Sequence, residues 1–137
     1  MRGNPLEHEK TGCDLENVEQ SAGLRVVLRI VGRWGLSDSE IGLLLAGVGA
    51  LTVARWRHDE RLVHADLAPD TVERLSLILG IYKDLQILLP TDGQADQWIR
   101  IPNSSPLFAG RSALDYMLAG GTDAVWRVRR YLAAQTA

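Results

Sequence analysis

Apolar positions recur at spacings of three and four from Leu24 onward and scarcely at all before it. Leu24, Val27, Leu28, Val31 and Trp34 form one helical stripe, with Arg25, Arg29 and Arg33 on another face. Gly35 ends that helix. Ser37 or Asp38 caps the next, which carries Ile41, Leu44 and Leu45. Gly47 to Gly49 reads as a tight turn, and Leu51, Val53, Ala54 and Trp56 as a third short helix. A charged loop, His58 to Glu60, leads to Leu62 and Val63. Pro69 suits the first turn of a long helix. Its main stripe is Val72, Leu75, Leu79, Tyr82, Leu85 and Leu89, widened by Ile78, Ile81 and Leu88. A helix apolar on more than one side is central in its domain or shared with a second copy. Pro90 closes it. A last helix is predicted from about Asp123 to Ala134, with Val125, Val128 and Leu132 facing inward. No alternating run is long enough for a convincing strand. The pattern predicts an all-α fold with a flexible acidic tail over 1–22, a helix-turn-helix domain over 23–68 and a small helical domain over 69–137.

Between the long helix and the last one lies the densest run of caps and breakers. Asp92 is predicted to cap a short helix that ends near Trp98 and Ile99. Pro102 lacks an N–H and drives Ile101 out of the α region, so the helix stops there. Asn103, Ser104, Ser105 and Pro106 form turns. Gly110 permits a crowded or left-handed backbone. Ser112 then caps a short helix with Asp115 near its dipole, and Leu114, Met117 and Leu118 share one side of it. Gly120 and Gly121 end it, and Thr122 is expected to cap the terminal helix. Local physics alone makes this run a connector in a small helical domain.

Composition narrows the chemistry. The formal net charge is −2, unevenly spread: the first residues are acidic, while 24–64 carry Arg25, Arg29, Arg33, Arg55, Arg57 and Arg61 against four carboxylates. That is a weak footprint for nucleic acid. The N-terminus has no signal-peptide pattern, and no apolar stretch approaches the ~20 residues of a membrane span. With one cysteine, Cys13, no internal disulfide forms, and a cytoplasmic protein without membrane contact is expected. His8, His58 and His64 are scattered, without zinc spacing. Gly47-Val48-Gly49 lies between helices instead of after a strand, so it is no phosphate loop. Asp66, Asp70 and Glu73 sit at a helix start, where the dipole accounts for them. No enzyme activity, cofactor or metal is expected.

The segment Ser37–Arg57 has the spacing of a helix-turn-helix, with Ile41, Leu45, Val48, Val53 and Trp56 as its shared core. The first turn of its second helix holds Gly49, Ala50 and Leu51, which offer little to base edges. The candidate DNA-contacting residues are Ala50, Leu51, Thr52, Arg55 and Arg57, the polar ones suited mainly to phosphates.

Trp98, Pro102, Asn103, Gly110, Ser112, Leu114, Gly121, Val125 and Leu132 together resemble the toxin-binding domain of the Xre/MbcA/ParS antitoxin family. With the helix-turn-helix, the resemblance covers residues 24–135. Ala113 stands where the family pattern commonly has a proline. The resemblance implies an antitoxin of a type II toxin–antitoxin system whose partner is a RES-type toxin that consumes NAD+. It implies a homodimer, neutralisation by covering the toxin's active site, and autoregulation at operator DNA. On that reading 23–68 is an Xre-like domain and 69–137 the toxin-binding domain, and Trp126, Arg127, Arg130, Tyr131, Gln135 and Ala137 form the toxin-binding set. Trp126, Arg127, Arg130 and Tyr131 are expected to project away from the Val125–Val128–Leu132 face; the alternative is a solvated helix with a partly buried Trp126. A transcriptional regulator without a toxin partner is the other functional reading.

Overall fold

A computed structural model describes residues 5–63 and 67–137, with side chains from residue 19 onward. His64 and Asp66 lie outside the described residues, as do the side chains of His8 and Cys13 and the first four residues of the expected tail. The fold is all-α, with no strand among the described residues. The helices are α1 (Pro5–Arg33), α2 (Asp38–Leu44), α3 (Ala50–His58), α4 (Pro69–Leu88), α5 (Asp92–Trp98) and α6 (Ala113–Thr136). A single 3-10 turn, Glu60–Leu62, follows α3. No helix among the described residues is long and apolar enough to cross a membrane.

The acidic segment expected as a flexible tail is helical from Pro5 on. Its residues lack an apolar stripe, but many are good helix formers. Once Leu24–Trp34 is docked, extending a helix already nucleated adds one hydrogen bond per residue fixed. The far end of α1 closes as expected at Gly35. Gly35 has φ +74°, its N–H bonds the Gly32 carbonyl, and the Leu36 N–H bonds the Val31 carbonyl. Those two bonds are the Schellman closure, which needs the left-handed residue that glycine supplies.

Ser37, not Asp38, caps α2. Its Oγ accepts from the Glu40 N–H at 3.1 Å, and the Ser37 N–H donates to Glu40 Oε1 at 2.9 Å, a complete capping box. The turn to α3 is tight because the Gly42 carbonyl accepts from the N–H groups of both Gly47 and Val48. A Cβ on Gly42 would fall 2.0 Å from the Val48 oxygen, so only glycine lets the two helices close here. Ile41, Leu45 and Val53 are fully buried in this corner, with Val48 and Trp56 packed against them.

Helix α4 is the centre of the molecule, packed against α1, α5 and α6. Its buried line is Leu75, Ile78, Ile81 and Leu85, shifted around the helix from the predicted stripe; Val72, Leu79, Tyr82 and Leu89 are half-buried. Its first turns also satisfy the end of α2. Thr71 Oγ1 donates to the Leu45 carbonyl at 2.7 Å, and Arg74 Nη1 to the carbonyls of Leu43 at 3.0 Å and Leu44 at 3.2 Å. These are the carbonyls a helix end leaves without partners. Buried side chains from α1 to α6 form one continuous core.

Candidate functional site

Helix α6 is set by three local devices. Ser112 caps it as expected, accepting from the Asp115 N–H at 3.0 Å. The preceding loop is closed by mutual bonds: the Asn103 N–H to the Arg111 carbonyl, and the Gly110 N–H to the Asn103 carbonyl. The Leu114 N–H then reaches back to the Ile99 carbonyl at the end of α5. That short helix is capped by Thr91, whose Oγ1 accepts from the Gln94 N–H, rather than by Asp92. Thr91 precedes the first helical residue and so holds the capping position; Asp92 lies inside the first turn.

Gly121 breaks α6 as predicted, with φ +68° and ψ −157°, a combination closed to residues with a side chain. Thr122 does not act as the expected cap. Its Oγ1 instead accepts from Arg74 Nε at 2.8 Å. Arg74 is 9% exposed and has no carboxylate within 4 Å among the described residues. It links the end of α2 to the break in α6.

The second half of α6 buries Val125, Val128 and Leu132, as its spacing predicts. Arg129 crosses α4 at Gly80 to reach Asp84, which is 5% exposed. A Cβ on Gly80 would lie 2.0 Å from the Arg129 Nε. The other side carries Trp126, 47% exposed, with the Arg130 guanidinium over its ring at 5.2 Å. Arg127 lies beside Tyr116, whose phenol holds the arginine's pKa above its ordinary value, with a smaller contribution from Asp123. Arg111, from the preceding loop, covers the Tyr116 ring at 5.4 Å.

Tyr131 departs from the expectation that it projects with these residues. Its hydroxyl is 2.9 Å from Ser105 Oγ, and its ring meets Phe108 edge-on at 5.3 Å. Phe108 is fully buried and also takes Trp98 and Tyr116 edge-on, at 5.9 and 5.6 Å. Tyr131 therefore seats the helix and exposes only part of its surface. Gln135 is exposed at the rim of a cleft of about 200 Å3 that it shares with Leu85, Leu88, Trp98 and Leu132; Ala137 is exposed at the chain end. Trp126, Arg127 and Arg130 thus share one face, joined by Arg111 and Tyr116, which the sequence reading did not single out.

The predicted DNA-contacting residues sit differently. Leu51 is 69% exposed, Ala50 half-buried, and Thr52 and Arg55 exposed. Arg57 is tied to Asp38 by a 2.7 Å bond. Arg29 makes two bonds to the Glu60 carboxylate, at 3.0 and 2.8 Å, and Arg25 donates to the Glu60 carbonyl. The Arg29 guanidinium holds the Glu60 carboxyl below its ordinary pKa. Arg61 pairs with Asp59, and Arg33 with Asp96 and Asp92. Arg55 alone among these six arginines makes no hydrogen bond or ion pair among the described residues.

No protein-family model matches the chain, and no solved structure matches it. A protein of Sinorhizobium fredii, described as "Uncharacterized protein y4oB", is 45% identical over 114 residues, which cover 83% of this chain and 84% of that one.

Proposed function

Taking as premise that the chain belongs to one family with the Sinorhizobium fredii protein y4oB, we propose that it is a protein-binding module, an antitoxin that neutralises a RES-type, NAD-consuming toxin through the exposed face of α6. One observation carries this reading. Arg111 and Arg130 on that face lie over aromatic rings and have no carboxylate within 4 Å among the described residues. Aromatic and arginine side chains held in place before binding are the residues that carry interface energy, because little ordering remains to be done. Trp126 adds an apolar anchor of the size such faces use. The likeness to Xre/MbcA/ParS antitoxins supplies the identity of the partner, and a homodimer supported by the α1–α3 end goes with it. Operator binding on this reading rests on Arg55, Thr52 and the turn before α3.

Co-expression with the product of the adjacent gene tests the proposal. The two proteins should co-purify, and NAD+ depletion by that product should stop. A chain truncated after Gly121 should fail at both. Full neutralisation by the truncated chain would remove the second half of α6 from the site. Promoter binding by the intact chain should weaken with salt and with Arg55→Ala; unchanged affinity in that variant would remove Arg55.

A further inference from the structure

A cavity of about 380 Å3 opens at the break in α6, lined by Arg111, Tyr116, Gly120, Asp123 and Arg127. Three pieces of chain converge there: the loop before the helix, its first half and its second half. The Arg111 guanidinium lies over the Tyr116 ring, 5.4 Å from its centroid. A guanidinium has five N–H donors, so one held over a ring still has donors for a ligand. Arg127 stands beside the Tyr116 phenol. The Tyr116 hydroxyl, which lines the same cavity, has an O–H to donate to an acceptor there. Neither arginine has a carboxylate within 4 Å among the described residues. Two arginines and a phenol therefore line one space against a single carboxylate, Asp123, and an oxyanion there would accept charge-assisted bonds.

We propose that this cavity receives one carboxylate side chain of the partner protein, held by Arg111, Arg127 and the Tyr116 hydroxyl. The proposal rests on the reading of the α6 face as the partner-binding surface. The charge of the lining selects the ligand. Two arginines against Asp123 leave a single positive charge, which one carboxylate neutralises. A phosphate dianion would carry one charge more than the lining neutralises, and its repulsion from Asp123 would be the greater of the two.

The probes are sodium acetate, inorganic phosphate and sodium chloride, titrated at matched ionic strength into the full chain while the arginine Nε–H resonances are followed by NMR. The Arg111 and Arg127 signals should move together and saturate with acetate, at a concentration at least threefold below that for phosphate. Arg55, which is exposed and outside the cavity, should follow only the chloride control. Shifts no larger than those of chloride, or equal shifts at Arg55, overturn the proposal. Tighter phosphate binding overturns the carboxylate assignment. A second arm uses the complex with the adjacent gene's product. Arg111→Gln with Arg127→Gln should weaken it at least tenfold with unchanged circular dichroism, and the double lysine variant should recover part of the loss. If the wild type does not bind that product, the functional reading falls and the acetate titration still decides the cavity. If the wild type binds and the double glutamine variant binds as tightly, the cavity proposal falls and the functional reading stands.

Discussion

The arginines of the α1–α3 end and those of α6 are the same residue type in opposite situations. Around α1–α3, Arg29, Arg33, Arg57 and Arg61 each face a carboxylate within 4 Å. On α6 and the loop before it, Arg111 and Arg130 lie on aromatic rings and Arg127 beside a phenol. An exposed ion pair offsets the charge of its arginine, engages some of its donors and contributes little to stability. An aromatic ring orients the guanidinium and leaves its donors in the plane unspent. Counting arginines along the sequence therefore does not locate those that lack a carboxylate partner. Of the six arginines at the α1–α3 end, Arg25 and Arg55 lack a carboxylate within 4 Å among the described residues, whereas Arg111, Arg127 and Arg130 all lack one.

The largest test of this contrast removes what holds the aromatic end together. Phe108→Ala deletes the ring that Trp98, Tyr116 and Tyr131 all meet edge-on, and should cost about 3–5 kcal/mol in urea unfolding. A cost below about 1 kcal/mol would mean that α6 is seated by something else. Next comes the one arginine of α6 that does face a carboxylate. Arg129→Met leaves Asp84 buried and unpaired and should cost about 2–3 kcal/mol. Adding Asp84→Asn should return part of that loss; strict additivity would deny the coupling.

Glu40→Ala is smaller, about 1 kcal/mol at neutral pH. Glu40 is held below its ordinary pKa first by the Ser37 N–H and then by Arg100. A depressed folded value means the stabilisation is present above the unfolded value of about 4.3 and vanishes as pH falls through the folded one. The gap between wild type and variant should therefore close between neutral pH and about pH 3; a gap that widened on acidification would reverse the sign. The smallest effect is on the paired end. Glu60→Gln frees Arg29 and should leave thermal stability almost unchanged. It should also steepen the salt dependence of non-specific DNA binding by about one unit of slope. An unchanged slope would show that the ion pair does not mask the basic surface.

Local features of the fold were legible in the sequence. Ser37, Gly35, Pro69, Ser112 and Gly121 act through neighbours a few residues away, so spacing alone exposes them. Val125, Val128 and Leu132 were legible for the same reason: their periodicity is the packing. Arg74, Arg100 and Arg129 were not, because each acts on groups far away in the chain. Arg100 donates to the Trp34 and Gly35 carbonyls, at 2.9 and 2.7 Å, and so closes the end of α1 from the far side of the core. Two signals were present and could have been used. Gly80 sits in the middle of an apolar helix, where glycine costs about 1 kcal/mol relative to alanine, which suggests a close crossing. Phe108 is the chain's single phenylalanine and stands among turn formers, an odd place for a large apolar ring unless it is buried. Tyr131 was misplaced because its helical phase lies at the edge of the inner face, where only the depth of the neighbouring loop decides.

The break at Gly121 has a consequence for how this chain tolerates change. In an unbroken helix, one inserted residue turns everything downstream by about 100°, so any length change in the first half would swing Trp126 and Arg130 to another bearing. Here the direction of the second half is reset at the break, where Thr122 is fastened to Arg74 on a different helix. The bearing of the second half thus depends on this break and on Arg74 as well as on the turns before the glycine. Register within 113–120 is held by the buried Ala113, Leu114 and Met117, and position 121 itself has no freedom to vary.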